Sequence, residues 1–163
     1  MLSDNQPAVQ LEEAKRILRT ADHMVYITYP VFKENRLLIK VLEEVYHAVR
    51  KTVDLIMAYE YGHKRMKIYS DPNLNMTLFE QKCAQRYSIS SEEIIGIKKI
   101  IALFEAHKTS PMEFSRQNKF IIMTDDLRTD SITVPNLKSM LGLAKNLVRK
   151  TETTFGSEKP SGF

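Results

Sequence analysis

The chain has 163 residues, 43% of them hydrophobic and 27% charged, with a formal net charge of +4. That balance fits one packed domain and excludes a disordered chain, while the mild basic excess favours acidic partners only slightly. A single cysteine, Cys83, excludes an internal disulfide, and a cytoplasmic address without a membrane partner is expected: no charged-then-apolar leader is read, and no run approaches the roughly 18 uncharged apolar residues of a span.

Residues 1–7 read as a frayed start. Leu11, Ala14, Ile17, Leu18, Ala21, Val25 and Thr28 keep a 3.6-residue period and predict a first helix over 8–29. Pro30 restricts the residue before it away from helical angles, which places the boundary at Tyr29. The short link through Lys33 and Glu34 implies that the next helix folds back antiparallel. That helix, Asn35 to Tyr61, organises the chain. Its polar residues Arg36, Lys40, Glu43, Glu44, His47, Arg50, Lys51 and Asp54 trace one narrow stripe, and nearly everything between them is apolar. A helix apolar on most of its circumference is enclosed by neighbours, so a pillar roughly 40 Å long is predicted at the centre of a bundle. Gly62 ends it, with His63, Lys64 and Arg65 beside the negative end of its dipole.

A turn at Asp71-Pro72-Asn73 leads to a modest helix over 75–86 with Leu78, Phe79 and Cys83 inward. Ser90-Ser91-Glu92-Glu93 is a capping box that opens a helix to about His107. Ser110-Pro111-Met112-Glu113 repeats that start signal and predicts another, short helix. Phe120 to Thr124 and Ser131 to Val134 read as a small β-hairpin or two extended arms, too small to stand alone and therefore laid on the helices. A last amphipathic helix is predicted over 135–151, and the polar residues 152–163 read as a flexible tail. The expected fold is all-α: an antiparallel up-down bundle of four main helices, with one or two short helices and the small hairpin or arm, in a single domain over 1–151.

Three constellations carry candidate chemistry. Glu44 with His47 and Glu60 with His63 have the Glu-x-x-His spacing of di-iron bundles. Both pairs lie on one helix about 24 Å apart, so they cannot share a metal pair; no metal and no cofactor are expected. Arg16 and His23 form an Arg-x6-His pair seven residues apart on one helical face, with Arg19 one turn from His23. A guanidinium and an imidazole so placed can flank a phosphate, one stabilising charge and the other moving a proton; the competing reading is a charged outer face. The third is HKTSPMEFSRQNKF: His107, Lys108, Arg116 and Lys119 surround the predicted helix start, with Arg128 on the following loop. Cations around free helical N–H groups suit an anion such as a nucleotide or an RNA backbone, unless Ser110 and Glu113 consume those groups as a cap. Cys83 sits on an apolar face as a small core residue, and the tyrosines at 26, 29, 46, 59 and 61 suggest packing or a dimer interface.

Two segments, AKRILRTADHMVYITYPVFKENRLLIKVLEEVYHAV and HKTSPMEFSRQNKFIIMTDDLR, resemble a group of uncharacterised archaeal helical-bundle proteins. In that group a TYP link precedes the long helix and an SPxEFxRxxKF segment precedes the last one. More loosely, the bundle is similar to the HEPN superfamily of nucleotide- and RNA-associated domains, whose active members pair Arg and His with four to six residues between. Only Arg16 and His23 match that spacing here, on the first helix rather than late in the bundle, and Ile17 stands where the family has a polar residue. The resemblance implies a non-catalytic HEPN-like module that binds RNA, a nucleotide or a partner protein. Two alternatives are a dimerising scaffold and a metal-independent ribonuclease using Arg16 and His23.

Overall fold

Leu38, Val41, Leu42, Val45, Ala48, Val49, Val53, Leu55, Ile56 and Met57 are all removed from water along α3 (Arg36–Gly62), the long helix of the computed structural model, which describes residues 6–158. Helices α1 (Gln6–His23), α5 (Ser91–Thr109) and α6 (Val134–Ser157) and strand β2 (Lys119–Met123) all pack against it. The enclosed helix anticipated between Asn35 and Tyr61 is therefore present and unbroken. Most buried side chains join one continuous cluster with those of α3. The described residues are mostly helical, with one small three-stranded antiparallel sheet.

The first helix does not stop before Pro30. It widens into a π-helix, Met24–Thr28, and continues as α2, Tyr29–Phe32. A proline has no N–H and its ring collides with the carbonyl four residues back. Widening the turn, so that the Tyr29 N–H donates to the Met24 carbonyl, lets the helix carry Pro30 instead of ending at it. The reversal comes at Lys33, whose φ of 50° lies in the left-handed region and whose N–H returns to the Tyr29 carbonyl at 2.7 Å.

Helix α4 (Pro72–Lys82) starts earlier than read from the sequence because the Asp71 side chain caps it, accepting from the Asn73 N–H at 2.9 Å. At the start of α5 the capping box forms as expected: the Glu93 N–H donates to Ser90 Oγ and the Ser90 N–H to Glu93 Oε1, each at 3.1 Å.

The short helix expected from Ser110 is a strand. Residues Met112–Arg116 form β1, paired antiparallel with β2, which pairs in turn with β3, Thr129–Ile132. Phe120, Ile121 and Ile122 make β2 a buried strand. A buried strand needs backbone partners on both edges, whereas a helix of a few residues nucleates poorly. The partner edge wins, and Ser110 spends its hydroxyl on the Met112 and Met123 carbonyls rather than on a helical cap.

The tail expected from Glu152 is also different. Helix α6 runs to Ser157, burying Thr151 and packing Phe155 4.3 Å from the Tyr59 ring; positions 159–163 of that expectation, and 1–5 of the frayed start, lie outside the described residues. What holds the end of α6 is a charge cluster at the foot of α3. Glu60, 2% exposed, accepts from Arg65 Nε at 2.5 Å and from the Tyr87 hydroxyl at 2.7 Å, with Arg86 Nε at 3.2 Å. Glu158, just beyond α6, meets the Arg86 guanidinium, accepts from Tyr59 at 2.6 Å and from Arg65 at 3.3 Å. Burial pushes the Glu60 carboxyl up, but the hydrogen bonds from Arg65 and Tyr87 and the charges of Arg65 and Arg86 outweigh it and hold the carboxyl below its ordinary range.

A carboxylate whose folded pKa is lowered adds stability above its unfolded pKa and loses it as the pH falls through the folded value. Wild-type stability should therefore decline as the pH drops below about 4.3, and Glu60→Ala should flatten that decline. At neutral pH the same change should cost about 3 kcal/mol, since it leaves the buried Tyr87 phenol without its acceptor and Arg65 and Arg86 with Glu158 alone. Urea unfolding of both proteins between pH 3 and 7 reads both effects; equal stability at pH 7 would show that the cluster is incidental.

Candidate functional site

Helices α1 and α6 run antiparallel, as two contacts between them and a third from the π-helix that extends α1 show. Lys15 pairs with Glu152, Asp22 with Lys145, and the Lys138 ammonium lies 4.6 Å from the centre of the Tyr26 ring. Ascending along α1 is descending along α6. Between these rungs lies a groove of about 540 Å³ whose floor is Leu18, Val148 and Ile27 and whose rim includes Arg19, His23 and Arg149.

The rim cations are not equivalent. Lys15 and Lys145 are bound to carboxylates of the opposite helix, and the hydrogen bond from Lys15 to Glu152 raises the pKa of that ammonium. Among the described residues no carboxylate stands within ion-pair distance of Arg19 or Arg149. Arg149 has only a 3.3 Å contact to the Asn146 amide oxygen one turn back. Two guanidiniums over an apolar floor, flanked by neutralised rungs, leave a local positive excess. An anion in the groove would be held there by charge-assisted hydrogen bonds.

His23 lines the same groove one turn along α1 from Arg19, and the π-helix that follows brings Thr28 to it. In a π turn residues five apart come into register, and Thr28 Oγ1 accordingly lies 3.4 Å from His23 Nδ1. Its expected companion Arg16 is not there. The Arg16 guanidinium turns one turn back and donates both to Glu13 Oε2 at 3.0 Å and to Glu13 Oε1 at 2.5 Å. The spacing that puts both side chains on one face does not decide where a long side chain leans, and a carboxylate three residues away does. Arg19, one turn from His23, is the α1 arginine that shares its groove.

The basic segment 107–128 is dispersed. His107 is engaged between two carboxylates, Nδ1 2.5 Å from Glu113 Oε1 and Nε2 3.5 Å from Glu43 Oε1, tying the sheet to α5 and α3. Lys108 lies over the Phe104 ring at 5.4 Å and Arg128 pairs with Asp126 at 3.1 Å. Arg116 and Lys119 face each other across the β1–β2 turn, while Arg128 lies in the β2–β3 turn at the opposite end of β2. A five-residue strand separates those turns by roughly 13 Å, and the helix expected from Ser110 is absent; Lys119 alone stands near a helix start, that of α6.

Other sequence candidates resolve as packing. Cys83 is fully buried, its sulfur 3.7 Å from that of Met66, and burial pushes its thiol up to about 12, so it is no nucleophile at neutral pH. Tyr46 stacks on Phe104 at 3.8 Å with His47 edge-on to both rings. Among the described residues no three His, Cys, Asp or Glu side chains are grouped to hold a metal ion. Among the described residues no helix is long and apolar enough to cross a membrane. Arg149, Lys145 and the Glu60–Arg65–Arg86–Glu158 cluster carry no local sequence signal, because each depends on residues brought together from distant parts of the chain. No protein-family model, curated protein or solved structure matches the chain.

Since nothing in the fold uses the Arg149 charge, Arg149→Glu should leave stability unchanged or raise it by up to about 0.5 kcal/mol. The urea midpoint reads this. A loss above about 1 kcal/mol would mean that the guanidinium is a structural element and not a free cation.

Proposed function

We propose that this protein is a cytoplasmic, non-catalytic HEPN-like module that binds RNA, with its four long helices forming an antiparallel up-down bundle and the RNA backbone seated in the α1–α6 groove. The observation that carries this reading is the pair Arg19 and Arg149, two guanidiniums on one groove without carboxylates to neutralise them. Guanidiniums suit phosphate because their planar forks match its oxygens, and a single nucleotide would use the same groups. Catalysis is not part of the proposal: the Arg16 of the alternative ribonuclease is paired with Glu13 and does not line the groove with His23. Filter binding to an RNA oligomer is the test. Arg19→Ala with Arg149→Ala should cut affinity at least tenfold and lower the salt slope by about 2, whereas Arg116→Ala with Lys119→Ala should change neither. The reverse pattern would move the site to the hairpin and remove the groove from consideration.

The dimerising scaffold has one observation of its own. Tyr26, Ile27, Val31 and Phe32 are large, apolar and exposed within seven residues of chain, with Val31 72% and Phe32 67% accessible. Such clusters mark interaction surfaces. Sedimentation equilibrium separates the two readings: a scaffold forms a dimer that Phe32→Asp returns to monomer, and a strict monomer excludes it.

A further inference from the structure

We infer that Tyr26 is a stacking platform for an unpaired base, so that the ligand of the groove is single-stranded RNA rather than duplex. The inference rests on the proposed RNA reading of the α1–α6 groove and extends it from the phosphate to the base. Tyr26 points toward α6, since its ring meets Lys138, and it follows the Asp22–Lys145 rung by one turn. Its neighbours His23 and Ile27 line the groove. A strand whose phosphate lies between Arg19 and Arg149 therefore passes Tyr26 as it leaves the groove.

The ring is suited to that task in two ways. It remains 47% exposed although it sits on a packed helix, so a planar partner has room. The ammonium of Lys138 lies over one face of the ring, 4.6 Å from its centre, which fixes the ring's orientation and adds a cation beside it. Aromatic stacking needs an exposed base face, and a duplex keeps its base faces covered.

The test compares three ligands at low salt: a single-stranded oligoadenylate, an RNA duplex of the same length, and inorganic polyphosphate, which carries charge without bases. The wild type should bind the single strand at least tenfold more tightly than the duplex. Tyr26→Ala should weaken oligoadenylate about tenfold and leave polyphosphate unchanged, and Tyr26→Phe should restore binding to within about twofold. Equal weakening toward oligoadenylate and polyphosphate would make Tyr26 a support for Lys138 and overturn the stacking. So would duplex binding as tight as the single strand. If Tyr26→Ala changes neither ligand while Arg19→Ala with Arg149→Ala abolishes both, the groove stands and the platform falls. If no ligand binds the wild type, the RNA reading fails and takes this inference with it.

Discussion

The burial of α3 is the constraint on which the molecule depends. A helix apolar around most of its circumference cannot face water on any broad side, so other elements must cover it. Helices α1, α5 and α6 and strand β2 do so. Each covering element can offer α3 only one face, and its other faces are left to meet a neighbour or solvent. The α1–α6 groove is a product of that arrangement. Two helices sharing one pillar are held close, but their outer faces diverge above the buried Leu18 and Val148.

Where α3 ends, apolar covering gives way to charge. Glu60 lies at the foot of the pillar, too enclosed to be solvated, and is satisfied by Arg65, Arg86 and Tyr87. Glu158 repeats the pattern from the far end of the chain through the same two arginines. The Tyr87 phenol is held protonated by its burial and by the adjacent Glu60 carboxylate, so it remains a donor. The result contrasts with the groove. At the foot of α3 the guanidiniums are matched by carboxylates and serve the fold; on the α1–α6 rim two are unmatched, which is why function is placed there. Gly96 shows the tightness of the remaining packing: a Cβ there would stand 2.2 Å from Leu143 Cδ1 of α6.

Local patterns were legible to different depths. The capping box at Ser90 and Glu93 formed as written, because both partners lie within one turn and no distant group competes. The same motif at Ser110 did not, because β2 offered the backbone a full edge of hydrogen bonds against the few of a short helix. Pro30 read as a stop, yet the chain around it bent into a π-helix, and that choice brought Thr28 to His23. Of the candidate site, Arg19 and His23 were visible as neighbours on one helix. Arg149 was not, since its relation to Arg19 exists only across two helices far apart in sequence. The cations of 107–128 looked like a cluster along the chain and are spread over two turns at opposite ends of a strand.

By itself the sequence determined the enclosed long helix, the amphipathic faces around it, the inward Cys83 and the extended character of residues 120–124, since periodicity and residue type act over a few turns of chain. Only the tertiary structure decided the ends of elements and the partners of charges. It made residues 112–116 a strand, carried α6 to Ser157, turned Arg16 toward Glu13 and left Arg19 and Arg149 unpaired on one groove. The physical reason is reach. Hydrophobic burial follows the local repeat of the backbone, whereas a long charged side chain or an unpaired strand edge takes whichever partner the fold brings near.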